Sequence, residues 1–155
     1  MNIQLISEKE TYLIEDYLQK NTHKERLYVL NTLIKYPLTV PMMRNMLFQK
    51  QVFGFCTFDN ERINNIVLFL YPSSFERTTF LQVLYLSLDD ESFFKEIIVK
   101  LNEFLDDDIK KIKLILNDSK KTQIEIIEKI GFKKELSINL GKENRLHYFY
   151  NGLGG

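Results

Sequence analysis

The chain has 155 residues, and 21 basic and 21 acidic side chains cancel to a formal net charge of zero, which argues against a nucleic-acid binder or a protein held to anionic membranes. Hydrophobic residues at 45% and aromatic residues at 13% exclude a disordered chain, and the length supports one domain with a full core. The lone Cys56 excludes an internal disulfide, no apolar run approaches the roughly 20 residues of a membrane span, and Met1-Asn2-Ile3-Gln4 does not open like a signal peptide, so a cytoplasmic soluble protein is expected.

Ile3, Leu5 and Ile6 suggest a short first strand. Ser7 and Glu10 have capping-box spacing and start a helix with Leu13, Ile14, Tyr17 and Leu18 on its apolar stripe. A second helix is expected with Leu27, Leu30 and Ile34 on one face, ending at Tyr36-Pro37. The stretch Pro41 to Lys50 fits either a helical turn or an apolar loop. Val52 to Phe58 and Asn65 to Tyr71 read as strands joined by a hairpin turn at Asp59-Asn60-Glu61-Arg62. Thr78 to Leu88 is a third, long strand, and the near-continuous apolar character of all three says they are covered on both faces.

Asp89-Asp90-Glu91 opens the next helix, where carboxylates suit the positive end of the helix dipole. Phe94, Ile97, Ile98, Leu101, Phe104 and Leu105 recur along it at helical spacing. Ile112, Leu114 and Leu116 then alternate with Lys113 and Ile115 as in a strand. Asn117, Asp118 and Ser119 are turn and cap formers, and Ile124, Ile127 and Ile130 mark a short helix. Gly131 stands where a helix C-cap needs a left-handed residue, and Phe132 is placed to fold back. Leu136 to Leu140 and Arg145 to Tyr150 form a closing hairpin, and residues 151–155 read as a flexible tail behind a domain of residues 1–150.

Asn117 in its turn and Ile127-Glu128-Lys129-Ile130-Gly131-Phe132 at the helix end resemble the fifth strand and fourth helix of the GNAT superfamily, the acyl-CoA-dependent N-acyltransferases. The order of elements over nearly the whole chain resembles that family too. The resemblance implies an α/β (α+β) fold: a GNAT-like mixed, mostly antiparallel seven-stranded sheet with helices on both faces. It implies acetyl-CoA or another acyl-CoA as cofactor, a small-molecule or peptide amine as acceptor, and direct amine attack on the thioester. Cofactor contacts are expected from Leu86, Ser87 and Leu88 at the end of the long strand, from Ser92, and from Asn117.

Two positions depart from the family pattern. Its members hold the CoA pyrophosphate in a glycine-rich loop at the start of the helix after the fourth strand. The matching stretch here, Ser87-Leu88-Asp89-Asp90-Glu91-Ser92-Phe93-Phe94, has no Gly, Arg or Lys. It sets three carboxylates where phosphates would sit, and Phe93 and Phe94 would crowd the approach. The family's acidic Tyr, which protonates the departing thiolate, is matched by Ile127. No catalytic residue is therefore assigned. The alternative to an enzyme is a catalytically silent GNAT-fold binding module that forms a homodimer or pairs with another domain.

Other residues have plainer readings. Cys56 is a small buried hydrophobe within a strand. His23 belongs to a helix connection, in a region that shapes the acceptor pocket in the family, and His147 to a strand face. The two His and one Cys are far apart, so no metal spacing exists. No P-loop, Gly-x-Ser-x-Gly elbow or Rossmann fingerprint is present.

Overall fold

The computed structural model describes residues 2–19, 27–30, 40–70, 80–88, 91–105 and 108–153. A short strand β1 (Gln4–Leu5) leads through a 3-10 turn into α1 (Thr11–Gln19). Half of the predicted capping box is present: the Glu10 carboxylate accepts the Ser7 backbone N–H at 2.9 Å and the Ser7 hydroxyl as well, while the Glu10 N–H donates to the Ser7 carbonyl and not to its side chain. Next come β2 (Leu27–Leu30), α2 (Val40–Phe48), β3 (Val52–Asp59), β4 (Arg62–Leu70) and β5 (Phe80–Leu88). The second half holds α3 (Glu91–Phe104), β6 (Lys111–Asn117), α4 (Lys121–Lys129), β7 (Lys133–Asn139) and β8 (Asn144–Tyr150).

The seven expected strands form one continuous sheet in the order β1-β3-β4-β5-β6-β8-β7, antiparallel except at the β5–β6 pair. Its two faces carry two cores. Phe93, Phe94, Ile97 and Leu101 of α3 and Ile127 of α4 pack over one face with Phe53, Val67, Val83 and Leu114. Ile14 and Tyr17 of α1, with Met46 and Leu47 of α2, cover the other against Cys56, Ile66, Leu84 and Tyr85. Helices therefore lie on both faces, as the alternation and the continuous apolar strands require.

The second helix is a correction. Leu27–Leu30 is a strand that pairs antiparallel with β5, an eighth strand off the main path. A short apolar run fits both periods, so its partner decides its conformation. Residues 31–39, which would have carried the rest of that helix, lie outside the described residues, as does His23. The ambiguous Pro41–Lys50 stretch resolves as a helix. The β3–β4 hairpin turns at Asn60 and Glu61, both at positive φ (50° and 66°), as a tight two-residue turn demands.

The end of α4 forms as predicted. Gly131 has φ 112°, its N–H donates to the Glu128 carbonyl, and the Phe132 N–H donates to the Ile127 carbonyl at 2.9 Å. These two bonds make a Schellman motif. It drives Phe132 into a ring cluster with Phe94 at 5.7 Å and Tyr150 at 5.8 Å. Phe93 and Phe94 are thus core residues at 0% and 2% exposure, and they do not crowd the start of α3. Within the stretch expected as a tail, Leu153 is buried at 4% exposure in the same core cluster as the α3 side chains.

Candidate active site

β5 and β6 are hydrogen-bonded neighbours at Phe80↔Lys111, Leu81↔Ile112 and Gln82↔Lys113, and nowhere beyond. Both strands run on, β5 to Leu88 and β6 to Asn117, so they part towards their C-terminal ends. The cause is a bulge in β5. Leu68 pairs with Tyr85 while Phe69 pairs with Val83, which leaves Leu84 as the extra residue. Leu84 and Tyr85 consequently both pack into the α1-side core, although neighbours in a regular strand face opposite ways. The bend opens a backbone cleft between the two strands at their carboxyl ends, with β2 lying along its β5 side, at the place where α/β sheets commonly take ligands.

Two helix starts face this end of the sheet. α3 begins at Glu91, whose carboxylate meets Lys129 of α4 at 3.2 Å. Both side chains are well exposed, so the pair adds little stability, but it sets the charge of Lys129, at the end of α4, against that of Glu91. Asp89 and Asp90 lie outside the described residues. Ser92 is exposed on the first turn of α3.

α4 begins after Lys120, which caps it without a side-chain bond, so neither Asp118 nor Ser119 is the cap that the sequence suggested. Asn117 instead closes the turn. Its Oδ1 accepts the Ser119 N–H at 3.0 Å, and its Nδ2 donates to Glu143 of the β7–β8 loop. Asn144 Nδ2, at the first residue of β8, donates to Asp118 at 3.0 Å. The last hairpin thereby holds the turn that follows β6.

Of the expected cofactor residues, Leu86, Ser87 and Leu88 line one strand edge. β4 occupies the far edge of that segment, at Val67↔Leu86 and Ile66↔Ser87. On the near edge, facing the cleft, β2 pairs Leu30 with Tyr85, Val29 with Leu86, Tyr28 with Ser87 and Leu27 with Leu88. α4 packs against β2 as well. The structure thus gathers Leu86–Leu88 at the parting of the strands, with β2 alongside.

Ile127, at the position of the family's acidic Tyr, is fully buried. The hydroxyl that α4 does meet is Tyr148 of β8, which donates to Glu128 at 2.8 Å. Burial first, then the bond to Glu128 and its charge, push the Tyr148 phenol up to about 12. The sequence reading did not single out this pair, because no spacing links residues on a helix and a strand twenty positions apart. His147 is held below its ordinary range by burial and by Lys113 and Arg145. Burial drives the Cys56 thiol up to about 12, with the Glu10 charge adding, so it is an inert core group. Among the described residues no cluster of His, Cys, Asp or Glu could hold a metal ion, and no helix is long and apolar enough to cross a membrane.

No protein-family model matches the sequence, and no curated protein matches it. Solved structures do match the fold. The acetyltransferase of the GNAT family from Streptococcus pneumoniae is similar at TM-score 0.69 and 13% identity, over 97% of this chain and 98% of that one. An N-acetyltransferase from Staphylococcus aureus Mu50 is similar at 0.67 and 11%, over 97% and 96%. The ribosomal-protein-S18-alanine N-acetyltransferase from Escherichia coli is similar at 0.65 and 10%, over 99% and 96%. At these identities the likeness establishes the fold alone, which is that of the GNAT acetyltransferases.

Proposed function

Taking the GNAT fold as the premise, we propose that the chain is an acyl-CoA-dependent N-acyltransferase of a divergent branch. The observation that carries this reading is the parting of β5 from β6 after Gln82, produced by the bulge at Leu84. A closed parallel pair would leave no room for an extended ligand; this pair parts beside Leu86–Leu88, where β2 lies along β5 in this structure and an extended ligand would lie in its place. The main chain of Leu86–Leu88 would hold the pantetheine arm of acetyl-CoA or another acyl-CoA, with Asn117 across the cleft. A backbone N–H of β5 would stabilise the oxyanion that develops on the thioester carbonyl. The amine of a small molecule or peptide attacks that carbonyl, the C–N bond forms, the C–S bond breaks and the thiolate leaves. With Ile127 at the family's acid position, water is the proton carrier to the thiolate, and water or a carboxylate takes the proton from the amine.

A second reading, a catalytically silent GNAT-fold binding module, is favoured by the start of α3. Glu91 there is a carboxylate already matched to Lys129, in a stretch without the family's glycines. Titration with acetyl-CoA by calorimetry and by thermal shift separates the two. The enzyme reading expects heat and a rise in melting temperature that grows with ligand concentration. Neither signal at millimolar acetyl-CoA would leave the silent module standing.

A further inference from the structure

We propose that β2 is a built-in competitor for the cofactor slot: Leu27–Leu30 holds the cleft edge of Tyr85–Leu88, and an acyl-CoA binds only when β2 leaves. The inference rests on the proposed acyl-CoA site. Its observation is separate, the register of β2 on β5.

Each residue of β5 has one N–H and one C=O, and successive residues turn theirs to alternate sides of the strand. β4 uses one side of Tyr85–Ser87. β2 uses the other, over Tyr85, Leu86, Ser87 and Leu88. That second side is the one β6 abandons after Gln82. An inserted strand requires its neighbours to stand about 10 Å apart, twice the usual strand spacing, and the bulge at Leu84 bends β5 to open that gap. α4 closes on β2. A pantetheine arm carries two amides and is itself an extended, strand-like ligand. It and β2 therefore need the same N–H and C=O groups, and those groups bond once. β2 is only four residues long and pairs at one edge, so its ladder is short enough to be displaced.

The test uses the full chain and acetyl-CoA. In an antiparallel ladder adjacent residues turn their N–H groups to opposite sides, so one of Tyr28→Pro and Val29→Pro removes a bond to β5. At least one of these variants is expected to bind acetyl-CoA about tenfold more tightly than the native chain, as removal of a competing state requires. A second measurement needs no variant. Amide hydrogen exchange at Leu27–Leu30 of the native chain should quicken at saturating acetyl-CoA, while Tyr85–Leu88 stay protected. This measurement decides the matter where the proline variants do not fold. Bound acetyl-CoA with unaltered protection of Leu27–Leu30 and equal affinity in the variants overturns the competitor and leaves the cofactor site intact. Absence of binding by the native chain and both variants overturns the cofactor site, and the competitor with it.

Discussion

Glu91→Gln tests the electrostatics of the α3 start. The change keeps the side-chain shape and removes one negative charge from the first turn, and it frees Lys129, now 3.2 Å from that carboxylate. The side chains are 37% and 70% exposed, so the folded chain should lose no more than about 0.5 kcal/mol. Binding should change more. A diphosphate at this helix start would sit roughly 6 Å from the carboxylate, and at the dielectric of water each charge pair at that range is worth about 0.7 kcal/mol. Two phosphate charges relieved of one carboxylate gain about 1.4 kcal/mol unscreened, near tenfold in affinity, and salt at about 0.15 M cuts this to roughly threefold. Calorimetry with acetyl-CoA at low salt and at about 0.5 M salt reads both values, and the gain should nearly vanish in the second. Equal or weaker binding by Glu91→Gln at low salt would refute the placement of the phosphates at this helix.

Three further outcomes follow from the packing. An added Cβ at Gly54 would lie 2.2 Å from the Val67 carbonyl oxygen, a backbone atom held in the centre of the sheet. Gly54→Ala should therefore cost about 2 kcal/mol despite the better strand propensity of alanine, and urea unfolding should show a lower midpoint at unchanged slope; an unchanged midpoint would deny the close approach. Phe132→Ala removes a fully packed ring between Phe94 and Tyr150 and should cost about 3–5 kcal/mol, a fall of roughly 10 °C in melting temperature for a domain of this size. The third concerns alkaline pH. Tyr148 has a folded pKa of about 12 against an ordinary 10, so its contribution is whole below pH 10 and is lost as pH rises towards 12. Tyr148→Phe should flatten the fall of stability between pH 10 and 12, measured by urea melts at stepped pH. An identical fall in both proteins would show that the phenol is not linked to folding.

The end of α4 was legible in the sequence because its causes are local. Gly131 supplies a positive φ that other residues resist, and the bonds of Gly131 and Phe132 reach back only three and five residues. The three central strands were legible from apolar runs longer than a turn, over Val52–Phe58, Asn65–Leu70 and Phe80–Leu88, although Arg62, expected in the turn, already belongs to β4; the bond of Glu10 to the Ser7 N–H was legible from its spacing. Expected cofactor residues split along the same line. Leu86, Ser87 and Leu88 were placed by their position at the end of a strand, whereas the engagement of Asn117 by Ser119 and Glu143 needed the last hairpin in place.

The amino-acid order alone determined which segments are apolar enough to bury, where the chain turns, and the succession of elements from β3 to β8. Tertiary structure decided that Leu27–Leu30 is a strand, because a four-residue apolar run takes the conformation of whatever edge it pairs with, and that edge belongs to residues more than fifty positions away. It also turned Phe93 and Phe94 inward, since a helix start shows its two sides only once a sheet lies against one of them. Local stereochemistry writes turns and caps into neighbouring residues, while the filling of a cleft depends on which distant backbone groups are left to bond.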